Sequence, residues 1–310
     1  MKTLTTALLI GATGLGCTLA HADTGKLLLT GGVSTIDGAA GGGLTPWAVI
    51  GSNATAGELG ASAFATRTSA QDYSLNVVGA AVGLYDRVEL SLARQDFDAS
   101  PAIALNGVAP FGVTPGQHIT MDVVGVKVKV AGDAVLDSDS LMPQIALGLE
   151  FKSVTAGSLG SVLNFLGTKT NGTDFYVSAT KLFLAQGILV NATLRNTNAN
   201  QNGLLGFGSA APGKDSRSWV PEVSAAYLLS KNWAIGAEYR VQTNNLQDLG
   251  RAAGLGDGLA EDDWKDLFVA WAPNKHTSVT LAYADLGRIV PGVTNARKQT
   301  GYYLSAQLAF

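Results

Sequence analysis

Cysteine is almost absent: Cys17 is the only one in 310 residues. It stands within the first twenty-two residues, and Gly14 occupies the position where a lipidation signal carries a large aliphatic residue. Removal of that segment leaves a chain with no disulfide and no thiolate chemistry. Charge is also scarce: 15% of residues, against roughly 25% in soluble domains. The formal net charge of -3 gives no basic surface for nucleic acid. Past the N-terminal segment no run of 18 apolar residues occurs, although mean hydropathy is +0.20. A spanning helix needs about 20 apolar residues in a row. An apolar chain without one must build a large core or face lipid in alternation.

Residues 1–22 read as a cleaved secretory signal. Lys2 is the only charge before Asp23, an apolar stretch runs from Leu4 to Leu19, and Ala20-His21-Ala22 gives the small-x-small cleavage pattern. Cleavage after Ala22 leaves 23–310, which is 310 less 22, or 288 residues. That length is ordinary for a single barrel.

The remaining pattern has period two. Ile188, Val190, Ala192 and Leu194 alternate with Leu189, Asn191, Thr193 and Arg195. Val124, Val126, Val128 and Val130 alternate with Gly125, Lys127 and Lys129. Helical neighbours sit 100° apart and cannot give this, so the segments are strands. Short turns near Asp86, 185–186, 230–231 and 273–275 alternate with Gly, Asn and Asp-rich loops at 97–116, 155–171, 197–218, 243–263 and 286–298; 132–142 is intermediate. That alternation predicts an all-β transmembrane antiparallel barrel with its short turns in the periplasm. Strands are expected at 26–36, 44–52, 58–68, 72–85, 87–96, 118–131, 143–154, 173–184, 187–196, 219–229, 232–242, 264–273, 275–285 and 300–310, about fourteen. The stretch from Thr30 to Pro46 is rich in glycine and offers an alternative: an inward plug that leaves twelve.

The last strand, GYYLSAQLAF, puts Tyr302, Leu304, Leu308 and Phe310 on one apolar face. A terminal aromatic with apolar residues at every second position before it resembles the signal read by the barrel assembly machinery. Aromatics cluster near both strand ends: Tyr85, Phe183, Trp233, Trp271 and Phe310 on the short-turn side, Phe97, Phe175, Trp219 and Trp264 on the other. Such rings suit membrane interfaces.

Four segments carry a family resemblance: LLLTGGVSTIDGAAGGGLTPWAVIG at 27–51, GAAVGLYDRVELSLARQDFD at 79–98, DVVGVKVKVAGDAV at 122–135 and LMPQIALGLEFK at 141–152. They resemble a proteobacterial family of outer-membrane proteins known as a domain of unknown function. The likeness is firm over the first half of the mature chain and looser beyond. It implies a signal peptide and a barrel, and brings no activity and no site residues with it.

Catalytic and cofactor motifs are weak. GATGLG at 11–16 lies in the signal segment with no βαβ unit after it. Ser178-Ala179-Thr180-Lys181 fits S-x-x-K but lies in a strand. His118, Asp122, Asp96 and Asp98 meet at the outer rim, where a His–Asp group could activate water, but an exposed polar rim explains them far better. Asp257, Glu261, Asp262 and Asp263 could touch a divalent cation beside lipopolysaccharide, or be merely solvated. The expectation is therefore no enzyme, no cofactor and no resident metal, with lipid, lipopolysaccharide and the assembly machinery as partners.

The inward face carries the informative residues: Arg87, Glu89, Lys127, Lys129, Glu150, Lys152, Arg195, Glu222, Glu238, Arg240 and Asp266. So many charges on one face need water or partners. Arg87, Lys127, Lys129 and Lys152, with Glu89 and Glu150 between them, predict a basic wall with two positive charges to spare. The favoured reading is a porin-like passive channel for small hydrophilic solutes. A non-conducting structural or anchoring barrel and a transporter of hydrophobic compounds are the alternatives, the last requiring the Gly-rich segment to lie inside.

Overall fold

The computed structural model describes residues 26–106, 112–135 and 141–310. The signal segment, with Cys17 and its cleavage site, lies outside them. Twelve strands among the described residues form a closed antiparallel barrel. They are β3 (Leu59–Ser69), β4 (Ser74–Leu84), β5 (Val88–Asp98), β6 (His118–Ala131), β7 (Gln144–Thr155), β8 (Asn171–Phe183), β9 (Ile188–Thr197), β10 (Ser218–Ser230), β11 (Trp233–Arg240), β12 (Trp264–Asn274), β13 (Thr277–Arg288) and β14 (Lys298–Ala309). Each pairs with its chain neighbours, and β14 closes on β3 from Tyr302↔Ser69 to Ala309↔Ser62. Closure satisfies every strand edge, which is what lets a sheet stand in lipid. No helix among the described residues is long and apolar enough to cross a membrane.

Period two becomes two faces. Outside, Leu92, Val124, Phe151, Leu194, Val223, Leu267, Leu281 and Leu304 lie exposed as an apolar belt. Trp233 and Trp271 stack outward at 5.7 Å at the short-turn end, where Phe310 also lies exposed. At the long-loop end Trp219 is exposed and meets Phe175 edge-on at 6.1 Å. Phe97 and Trp264 depart from the girdle pattern: both face the interior and are buried. They fall on the inward parity of their strands, so alternation overrides their interfacial position.

The twelve-strand alternative holds. Residues 26–36 and 44–52 do not cross the barrel. They fold inside it, with one small hairpin of β1 (Val33–Ser34) and β2 (Ala40–Gly41). Residues 33–51 are buried throughout. Glycine makes this possible: Gly38 turns the hairpin at φ 94, and a Cβ on Gly42 would stand 2.3 Å from the Glu238 carboxylate. Both ends of the plug lie at the short-turn rim. Lys26 pairs with Asp86 at 2.7 Å, and the Asn53 amide donates to the carbonyls of Lys275 and Ala309.

Candidate functional site: the closed interior

Inward parity brings the charged residues to one place, and the plug meets them there. Glu238 on β11 accepts the N–H groups of Leu44 at 2.7 Å and Thr45 at 3.1 Å, and the Thr45 hydroxyl at 2.5 Å. Glu89 on β5 accepts Gly51 N–H at 2.6 Å and Ala40 N–H at 3.1 Å. Lys127 on β6 pairs with Glu89 at 3.1 Å and donates to the carbonyls of Ala40 and Trp47. Ser178 and Thr193 both donate to Pro46 O, and Thr180 accepts Ala48 N–H. A plug with so little regular structure would leave its backbone unpaired; these wall side chains satisfy it. Ser178 is thus a plug anchor on a strand.

Above the plug lies a buried ion network. Lys152 Nζ stands 3.0 Å from Asp174, 3.3 Å from Glu150 and 3.4 Å from Asp37 at the plug tip. Arg195 bonds Glu150 at 2.6 Å and Glu222, and lies over the Tyr176 ring at 5.2 Å. Arg240 reaches Asp37 at 3.4 Å and Glu222 at 3.5 Å. A second element descends from the long-loop end: residues 199–207, all buried but the half-buried Leu205. Its Asn202 accepts Lys152 and Arg240 and donates to Asp37 at 2.8 Å. Plug and loop therefore meet at one buried network inside the barrel.

Nine of the eleven inward residues expected from the sequence are buried inside the barrel: Glu89, Lys127, Glu150, Lys152, Arg195, Glu222, Glu238, Arg240 and Asp266. Arg87 is not. It is exposed in the turn between β4 and β5, where Tyr85 and Asp86 take positive φ. Lys129 sits at the rim beside an irregularity in the β6–β7 pairing and bonds Asp86. Without those two, Lys127 and Lys152 face Glu89 and Glu150, and the expected surplus of positive charge disappears. Parity could have found Asp174, which shares its face with Tyr176 and Ser178. Parity also points to Gln95, which follows Glu89 on the inward face of β5; no sequence signal points to Asp37 or Asn202, which meet only through the folded plug and loop.

The rim groups are separate from this interior. His118 Nδ1 lies 2.7 Å from Asp96 on the exposed outer wall, and Asp122 pairs with Arg94 at 3.5 Å. Asp257 and Asp262 pair with Arg251 and Arg288, and Asp263 accepts from Tyr239. Among the described residues no group of His, Cys, Asp and Glu is arranged to hold a metal.

Glu261 turns inward instead and accepts Gln201 N–H at 3.1 Å from the descending loop. Burial pushes its carboxyl up to about 8, and the Gln201 hydrogen bond pulls only weakly the other way. A raised value favours the folded loop in its protonated form. That contribution is complete below the ordinary glutamate value of 4.5 and is lost as pH rises through about 8. Amide exchange in 198–208 should accelerate between those limits beyond its intrinsic pH dependence. Glu261→Gln should flatten the excess; an unchanged pH profile in that variant would refute the assignment.

A closed twelve-stranded barrel with an apolar belt and an internal plug defines a transmembrane β-barrel of the outer-membrane type. The model of one protein family, described as a protein of unknown function (DUF3034), matches residues 30–307, and the chain belongs to that family. No curated protein matches the chain. Among solved structures it is similar to the NanC porin (TM-score 0.48, 10% identity, covering 80% of this chain and 98% of that one). It is similar to the KdgM porin in complex with disordered oligogalacturonate (0.45, 12%, 80% and 99%). It is also similar to outer membrane phospholipase A from Escherichia coli (0.40, 9%, 81% and 92%).

Proposed function

We propose that the protein is a porin-like passage of a Gram-negative outer membrane, held closed by its own N-terminal plug, and not an enzyme. The supporting observation is the burial of residues 33–51 inside the barrel, anchored by Glu238, Glu89 and Lys127. The short turns and both termini face the periplasm in this reading. Residues 1–22 are removed on export, so the mature chain begins at Asp23. In planar bilayers the wild-type barrel should be nearly silent, with rare openings. A large steady conductance would show that the plug does not close it.

A second reading, transport of hydrophobic compounds, has the same plug in its favour, together with an apolar chamber beneath the descending loop. A purely anchoring barrel would stay silent even without its plug.

Assembly gives an independent test. Tyr302, Leu304, Leu308 and Phe310 lie exposed on the outer face of β14, the strand that closes the barrel. Phe310 exchanges backbone bonds with Ala61 at 2.8 and 2.9 Å, and its ring lies 5.6 Å from His276. Phe310→Asp should lower the yield of heat-modifiable barrel while signal processing continues. Equal yields would remove Phe310 from the assembly signal.

A further inference from the structure

We infer that the chamber between the plug, the descending loop and strands β12–β14 binds a small molecule with an apolar body and a protonated amine. The inference goes beyond passage through the barrel, because such binding is read in the closed protein.

The chamber has a volume of about 40 Å³. Ile36 and Leu44 of the plug form one side, Leu204 and Leu205 of the loop another, and Leu286 and Ile289 a third. Asp266 opens onto it from β12. Its side chain is buried, its Oδ1 has no hydrogen-bond partner, and no Lys or Arg among the described residues lies within 4 Å of it. Its cross-strand partner on the same face is Glu238, a second carboxyl without a cation, already committed to the plug backbone.

Two further groups point the same way. The side-chain amide of Gln201 has neither its oxygen nor its nitrogen bonded, and the indole N–H of Trp264 is also free of partners. Both residues line the chamber and are buried. Buried polar atoms normally have partners, so several unpartnered ones around one apolar space offer a ligand polar contacts there. The space holds roughly three waters, at 10–15 Å³ of such volume each, and they could reach the same unpartnered atoms, but they bring no charge. An ammonium group brings the charge and three N–H donors, enough for Asp266 and the Gln201 oxygen together. An anionic ligand would meet two carboxyls, and an alcohol would bring no charge to either.

Size sets the probe. The chamber suits about five heavy atoms, so butylamine fits, with butan-1-ol and butyrate as matched comparators. The full mature protein, folded in detergent, should show saturation transfer to butylamine. The signal from butan-1-ol should be about tenfold weaker, and butyrate should give none. Asp266→Asn should remove the preference for the amine while the barrel stays heat-modifiable. Ala284→Val, which fills the chamber from β13 and leaves Asp266 intact, should also abolish the butylamine signal. Butylamine transfer that is absent in wild type, unchanged in Asp266→Asn, or no stronger than that of butan-1-ol would overturn the proposal.

Discussion

A mature chain lacking residues 26–53 should conduct at least roughly tenfold more in planar bilayers than the intact barrel, because eight strands leave an interior just wide enough for side chains and twelve leave more. The space now filled by the plug becomes water. The wall that held it keeps its charges: Glu89, Glu150, Asp174, Glu222, Glu238 and Asp266 against Lys127, Lys152, Arg195 and Arg240. Six acids against four bases predict mild cation selectivity, which fades as salt screens the lining. The descending loop still narrows the long-loop end through Asn202, so openings should be brief and should lengthen when Asn202→Ala is added. A silent plug-less barrel, correctly folded by heat modifiability, would favour the anchoring reading. Anion selectivity would mean that Lys152 and Arg195 outweigh the carboxylates around them.

The sign of that selectivity shows what the sequence could and could not say. Alternation placed nine charged residues on the inner face correctly, since a strand's parity is fixed once one face is apolar. It failed at strand ends. Arg87 has the parity of an inward residue but sits in a tight turn, and Lys129, two residues beyond Lys127, reaches only the rim, where it bonds Asp86. Both errors were positive, so a balanced wall looked basic. The plug was visible only as an excess of glycine. A segment that satisfies its backbone on distant side chains needs neither period two nor period 3.6, and so carries no pattern of its own. Asp37 and Asn202 are 165 residues apart in the chain, and no local feature of either predicts their 2.8 Å contact.

Arg195→Met should be the most destabilising single change in the barrel, by about 3–5 kcal/mol, because it strips the cation from a buried network. The guanidinium is fully enclosed and serves Glu150, Asp174 and Glu222 at once. Around it the central network holds four carboxylates, Asp37, Glu150, Asp174 and Glu222, against Lys152, Arg195 and Arg240. Loss of Arg195 leaves four against two. Arg195→Lys keeps the charge but not the fork that reaches several carboxylates, so it should fall between wild type and Met. Adding Glu222→Gln to Arg195→Met should recover about 1–3 kcal/mol by removing one orphaned charge. Urea unfolding of the detergent-folded barrel measures all three, and a cost below about 1 kcal/mol for Arg195→Met would show that water reaches the network. Asp37→Asn separates stability from closure. It removes a carboxylate from the acidic side and brings the network to three against three, so the barrel should keep its urea midpoint. The plug tip, however, loses its pairs to Lys152 and Arg240, and opening events should become more frequent. A barrel that loses stability in Asp37→Asn without opening more often would place the latch at Glu238 and Glu89 instead, the carboxylates that accept the plug's backbone N–H groups.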